Sequence, residues 1–170
     1  VLTEAKVQFT QVLESAWTGL RIDEAQLRLT DGRPASEIGN EVAVFDLPIS
    51  ADQGQPLAFA ISNRAAPESA EYAAAWLRVL GFNPQKIADS PALIVARTLA
   101  MLINEAADAV QQGVCSAAGA DAAMQLGVNY PAGPFEWLAR WDASKIVQLL
   151  DALDAFYRGE RYRVSPWLRL

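Results

Sequence analysis

The sequence has no histidine and only one cysteine, Cys115. Histidine is the commonest general base near neutral pH and the commonest metal ligand. Its absence excludes Ser-His and Cys-His nucleophiles and the usual zinc sites within this chain. One cysteine excludes an intramolecular disulfide and fits a reducing compartment. Cys115 itself reads as a small buried filler, with a reactive thiol as the alternative. No GxGxxG and no P-loop is present, so no phosphate-cradling turn is visible. No apolar run approaches the roughly 20 residues of a membrane span, and no signal-peptide pattern opens the chain. Lys and Arg number 14 against 20 Asp and Glu, a net charge of -6, which disfavours nucleic acid because that binding needs clustered cations. The expectation is a cytoplasmic protein with no metal, no membrane and no nucleic acid. Any catalysis would fall to carboxylates, lysine, tyrosine or the one thiol.

What is present describes a globular chain. Of 170 residues, 52% are hydrophobic and 20% charged, enough for one or two small domains with a real core. Val1, Leu2, Val7, Phe9, Val12, Leu13, Ala16 and Trp17 approximate an amphipathic helical face with Gly19 as its stop. A start inside such a pattern, without Met, suggests a piece of a longer protein. From Ala25 to Asp89 the texture changes. Gln26 to Thr30 alternates, and Glu41 to Pro48 and Pro56 to Ser62 are apolar runs of strand length. A helix follows from Pro67, carrying Tyr72, Trp76, Leu77 and Leu80 and closed by Gly81. Gln85 to Ala88 reads as one more strand. Strands alternating with helices predict a small, mostly parallel α/β layer.

From Ser90 onward the signal is helical. Pro91 to Gln112 forms a long helix closed by Gly113. Ser116 caps an Ala-rich helix that Gly127 ends. Pro134 opens a third helix, and Asp142 caps a fourth that Gly159 terminates. The tail from Glu160 to Leu170 has no period but carries Tyr162, Trp167 and arginines, so it is expected to pack back onto the body. Between the second and third helices lies the elbow Tyr130-Pro131-Ala132-Gly133-Pro134-Phe135-Glu136. Pro131 and Pro134 fix its path, and Gly133 permits a turn that a side chain would obstruct.

These pieces in this order resemble the C-terminal domain of 3-hydroxyacyl-CoA dehydrogenases. The matching residues are Asp89-Ser90-Pro91, Ile94-Val95, Arg97, Asn104-Glu105-Ala106, Asp121, Ala123-Met124, Leu126-Gly127 and Pro131 to Glu136. The closing Gly159 to Leu170 looks like the family's last segment, and residues 66–90 resemble the last helix and strand of its nucleotide-binding domain. The resemblance covers about residues 60–170. It implies an α+β fold: a small α/β Rossmann-like remnant with a leading helix over 1–89, then an all-α domain over 90–170 of the 6-phosphogluconate dehydrogenase C-terminal-like type. The departures matter as much. Where the family reads DSPGFIVNR, this chain has Ala96 in place of the Asn that reaches the acyl-CoA substrate, and an alanine methyl makes no hydrogen bond. The family's catalytic His has no counterpart. Leu27 to Gly39 stands where a glycine-rich fingerprint would be expected, without the glycines. This is similar to long bacterial forms, in which a complete dehydrogenase is followed by a second helical domain through a decayed nucleotide-binding fold.

The resemblance therefore implies the C-terminal part of an NAD-dependent 3-hydroxyacyl-CoA dehydrogenase, with NAD bound upstream and none bound by this chain. Its role would be dimerisation and cleft closure, with no catalytic residue of its own and a homo-oligomer expected. A structural association module and a stand-alone acyl-CoA-binding module are the alternatives. The residues for a substrate cleft or an interface are Arg97, Glu105, Pro131, Gly133, Pro134, Phe135 and Glu136. Arg97 would meet a CoA phosphate or a structural carboxylate, and Glu105 a cleft or a surface ion pair. The elbow would shape backbone or touch substrate. Asp151 and Asp154 read as a solvated helix face, Arg158, Arg161, Arg163 and Arg169 as solubility or a basic patch, and Trp76, Trp137, Trp141 and Trp167 as core or interface anchors.

Overall fold

The computed structural model describes residues 10–12, 16–50 and 52–170. Most of the expected leading helix lies outside the described residues. The chain divides into two compact units, Val1–Val95 and Ala96–Leu170. No described helix is long and apolar enough to cross a membrane.

The first unit is a five-stranded sheet whose spatial order is the chain order: β1 (Gly19–Ile22), β2 (Ala25–Leu29), β3 (Val42–Phe45), β4 (Pro56–Ile61) and β5 (Asn83–Lys86). The expectation of a mostly parallel sheet is corrected. β1 with β2 and β3 with β4 are antiparallel, while β2 with β3 and β4 with β5 are parallel. Connection content decides each case, because parallel neighbours need a crossover of about a dozen residues, usually helical. Residues 30–41 contain helix α1 (Ala35–Ile38), and residues 62–82 contain α2 (Ser69–Val79). By contrast, the described residues of 46–55 contain no helix, and Asp23-Glu24 is a tight turn with Asp23 at φ +52°. Gly19, expected to stop a helix, instead opens β1, where a Cβ would lie 2.0 Å from the Leu27 carbonyl oxygen. β5 begins at Asn83, two residues before the predicted strand.

All four residues of β3 are buried, and alternation sends them to two cores. Ala43 and Phe45 join Leu27, Leu57, Phe59, Ala73, Ala74 and Leu77, so α2 covers that face. Val42 and Val44 join Ala35, Ala60 and Leu93. This burial on both faces is why β3 reads as a continuous apolar run.

The second unit holds α3 (Val95–Gln111, whose first residue belongs to the sheet unit), α4 (Ala117–Val128), α5 (Pro134–Trp141) and α6 (Ala143–Tyr157), then two short 3-10 turns, Glu160–Tyr162 and Pro166–Arg169. α3 starts at Val95, not at Pro91, because Ala92 and Leu93 are left-handed at φ +56° and +52°. Ser116 caps α4 as expected, its Oγ accepting from the Gly119 N–H at 3.1 Å. Two predicted stops move by one or two residues. α4 runs through Gly127 and ends at left-handed Asn129, and α6 ends at left-handed Arg158 rather than Gly159. Both take the conformation that usually selects glycine. Asp142 caps α6 through the Ser144 N–H and hydroxyl, and those bonds hold its carboxyl below the usual range. The tail does pack back: Tyr162, Val164 and Leu168 are buried. Cys115 is corrected from buried to half-buried, on the turn before α4.

Candidate functional site

In the sheet unit, the stretch compared with a nucleotide fingerprint is the loop from β2 into α1. The Thr30 hydroxyl oxygen accepts from the Gly32 N–H, and Asp31 accepts from the Arg33 N–H and guanidinium, with Nη2 to Oδ2 at 2.6 Å. Burial pushes the Asp31 carboxyl up, but the Arg33 bonds and the Arg33 and Arg28 charges outweigh it, and the net shift is downward. Arg28 lies 4.9 Å from the Trp17 ring centroid, a cation–π distance, and burial lowers its pKa. The first amides of α1 are already engaged. Ala35 N–H donates to Asp89 Oδ1 at 2.7 Å, and Ser36 donates to Asp89 Oδ2 through its N–H at 2.9 Å and its hydroxyl at 2.6 Å. An internal carboxylate thus stands where a cofactor phosphate would be sought at a helix start. The strand order also never reverses. Open α/β sheets bind nucleotides at such a reversal.

In the helical unit, the elbow is held by α4. Gly133 carries an ordinary φ of -82°, so the need for glycine is steric. A Cβ there would lie 2.2 Å from Asp121 Oδ1 and 2.4 Å from Asp121 Cβ. That carboxylate accepts the Phe135 N–H at 2.8 Å, doing for α5 what an N-cap side chain does elsewhere. Glu136 Oε2 accepts from the Gly133 N–H at 3.1 Å and from Gln125 at 3.0 Å. Pro134 is buried at the first helical position, where its missing N–H costs nothing. Phe135 meets Trp167 edge-on at 5.2 Å, and Tyr130 meets Trp137 at 5.8 Å. Pro131 and Glu136 are exposed.

The remaining predicted residues lie elsewhere. Arg97 Nη1 donates to the Tyr157 hydroxyl on α6 at 3.2 Å. Glu105 is exposed on α3, and Ala96 is completely buried. Asp151 pairs with Arg169 at 2.5 Å and Asp108 with Arg163 at 2.6 Å. Asp151, Arg163 and Arg169 share an open groove of about 770 Å³ with Asp154, Arg158 and Glu160, so the three arginines there face three carboxylates. Among the described residues no group of three His, Cys, Asp or Glu side chains forms a metal site.

The residue that sequence reasoning undervalued is Asn104. It is 1% exposed, its Nδ2 donates to the Arg163 carbonyl at 2.9 Å, and its Oδ1 accepts the Ser165 N–H at 2.7 Å. One amide closes the tail onto α3. The Trp167 N–H, donating to Gln111 at 2.9 Å, repeats the tie one segment on. A polar residue flanked by Ile103 and Ala107 on an apolar stripe was the available signal. For Asp121 the signal was its being the single charge in α4.

A sheet unit without a nucleotide fingerprint, followed by a helical unit closed by an elbow and a clamped tail, defines a class: a reduced dinucleotide-type domain joined to a dehydrogenase helical domain. The comparisons agree. The 3-hydroxybutyryl-CoA dehydrogenase reduced Rossmann-fold domain matches residues 27–91, and the 3-hydroxyacyl-CoA dehydrogenase C-terminal domain matches residues 93–170. The chain belongs to the 3-hydroxyacyl-CoA dehydrogenase family. It is 37% identical over 148 residues to the 3-hydroxyadipyl-CoA dehydrogenase of Escherichia coli (strain K12), covering 87% of this chain and 31% of that protein. It is 28% identical to a probable 3-hydroxybutyryl-CoA dehydrogenase of Deinococcus radiodurans, covering 84% and 50%. The crystal structure of 3-hydroxybutyryl-CoA dehydrogenase from Escherichia coli K12 superposes with a TM-score of 0.82 at 36% identity, over 94% of this chain and 34% of that one. The chain thus spans between about a third and a half of the relatives it matches.

Proposed function

We infer that this chain is the C-terminal part of an NAD-dependent 3-hydroxyacyl-CoA dehydrogenase of the cytoplasm, oxidising 3-hydroxyacyl-CoA to 3-oxoacyl-CoA, in which catalysis and NAD binding belong to an upstream part. The carrying observation is the serial match of a reduced Rossmann-fold domain and a C-terminal domain in a chain that spans 31% and 50% of two relatives' lengths. The chain's own residues support a non-catalytic role. Oxidising a hydroxyl requires a base that takes the proton as the hydride departs, and the sequence offers no histidine. Asp89 occupies the first amides of α1. We assign residues 1–89 to the degenerate Rossmann-like segment and 90–170 to the helical domain, with Arg97, Glu105, Pro131, Gly133, Pro134, Phe135 and Glu136 as its cleft or interface residues.

The role of this part is association and cleft closure. α4 supports association: Leu126 is 88% exposed and Val128 56%, and the helix is apolar nearly all round although only Ala120 on it is buried, a pattern that calls for a covering partner. The burial of Ala96 favours a structural association module as the second reading over an acyl-CoA-binding module, because position 96 offers substrate neither a polar atom nor access. Sedimentation at micromolar concentration, alongside an NADH-dependent assay with acetoacetyl-CoA, tests both parts. Self-association without turnover is expected. A strict monomer removes the association role, and turnover removes the non-catalytic one.

A further inference from the structure

The chain leaves β5 and enters α3 through Ser90-Pro91-Ala92-Leu93-Ile94. Ser followed by Pro is the sequence of a helix start, a hydroxyl at the N-cap and a proline at the first position. The structure takes another course. Ala92 and Leu93 are both left-handed, and the Leu93 N–H reaches back to the Ser90 carbonyl at 3.3 Å. L-residues other than Gly, Asn and Asp avoid that conformation. Contacts of Leu93 and Asp46 hold it. The Leu93 side chain is fully buried with Ala35, Val42, Val44 and Ala60. Asp46, also fully buried, accepts the Ile94 N–H at 2.9 Å and the Val95 N–H at 2.7 Å through Oδ2, and the Leu47 N–H at 2.8 Å through Oδ1. In a helix capped by Ser90, the same Ile94 and Val95 amides would donate to the Ser90 and Pro91 carbonyls, four residues back. The same two donors are therefore satisfied in either arrangement.

We propose that Ser90–Ile94 is a two-state latch. In the closed state Asp46 holds the Ile94 and Val95 amides and Leu93 stays in the sheet unit's core. In the open state those amides pass to the Ser90 and Pro91 carbonyls, and α3 lengthens by about one turn, to Pro91. Left-handed strain at Ala92 and Leu93 pushes toward opening, while Leu93 burial and the Asp46 carboxylate oppose it. A contact that engages the Asp46 carboxylate or displaces Leu93 shifts the population.

The test uses the 170-residue chain, reading Cα chemical shifts at Ala92 and Leu93 and amide exchange at Ile94 and Val95. Asp46→Ala is expected to move both Cα shifts to helical values while the two amides stay protected within about tenfold of wild type. Adding Ala92→Gly is expected to return the left-handed shifts. Left-handed shifts that persist in Asp46→Ala overturn the latch. So do coil shifts with both amides deprotected by about a hundredfold or more. Where Asp46→Ala does not fold, Asp46→Asn, of the same size, decides the matter. Movement of both shifts toward helical values supports the latch, and unchanged or coil values refute it.

Discussion

Both units close helix ends with side chains borrowed from distant segments, but to different effect. In the sheet unit Asp89 takes the first amides of α1, and Asp46 those at the start of α3. These bonds engage the first amides of both helix starts and tie residues 89–95 to the sheet. In the helical unit Asp121 and Asn104 secure the elbow and the tail, so Gly133, Phe135 and Glu136 each have a structural partner. The sheet unit lacks a glycine-rich loop, whereas the helical unit keeps the elbow motif from Pro131 to Glu136, with Ala96 as a departure upstream.

Substitutions separate these roles, and the largest effect is expected at Asn104. Asn104→Ala strands the Arg163 carbonyl and the Ser165 N–H inside the helical unit, and each buried unpaired group costs about 1–3 kcal/mol. A loss of roughly 3 kcal/mol in denaturant unfolding is expected; a loss below about 1 kcal/mol shows that the tail finds other partners. Next is Gly133→Ala, whose methyl overlaps Asp121 and should cost about 1–3 kcal/mol. Asp121→Ala alone should cost about 1 kcal/mol through loss of the cap. In that background Gly133→Ala should be much less harmful, a coupling that a double-mutant cycle reads directly. Additive losses would mean that Gly133 answers to something other than Asp121.

In the sheet unit the expected sign reverses. Ala92→Gly should stabilise by about 1 kcal/mol, because Ala92 holds a left-handed φ that glycine adopts freely. A loss on this substitution would show that the methyl's burial outweighs the strain. The smallest effect belongs to Arg169→Ala. Its bond to Asp151 joins side chains that are each 50% exposed, so a change within about 1 kcal/mol that shrinks in high salt is expected.

Much of this was legible from local pattern. The strand at Gln26 announces itself by alternation and those at Val42 and Leu57 as apolar runs, and Ser116, Pro134 and Asp142 mark helix starts by their own chemistry. What the sequence hides depends on pairs far apart in the chain. The α3 start at Val95 is set by Asp46, forty-eight residues away from Ile94; local pattern favours Pro91 instead. Sheet direction departs from expectation because it follows the helix content of the connections, and the β1–β2 and β3–β4 connections carry no helix among the described residues. Asn129 and Arg158 end their helices in left-handed geometry one or two positions from the nearest glycine, a displacement that no single-residue preference signals. At the elbow the need for glycine was legible, but its cause, the Asp121 carboxylate, was not.

We propose that the sheet unit has no cofactor site of its own. Calorimetric titration of the chain with NADH tests this most directly. No saturable binding is expected. Saturable binding tighter than about 100 µM, an affinity near 5–6 kcal/mol, would contradict it.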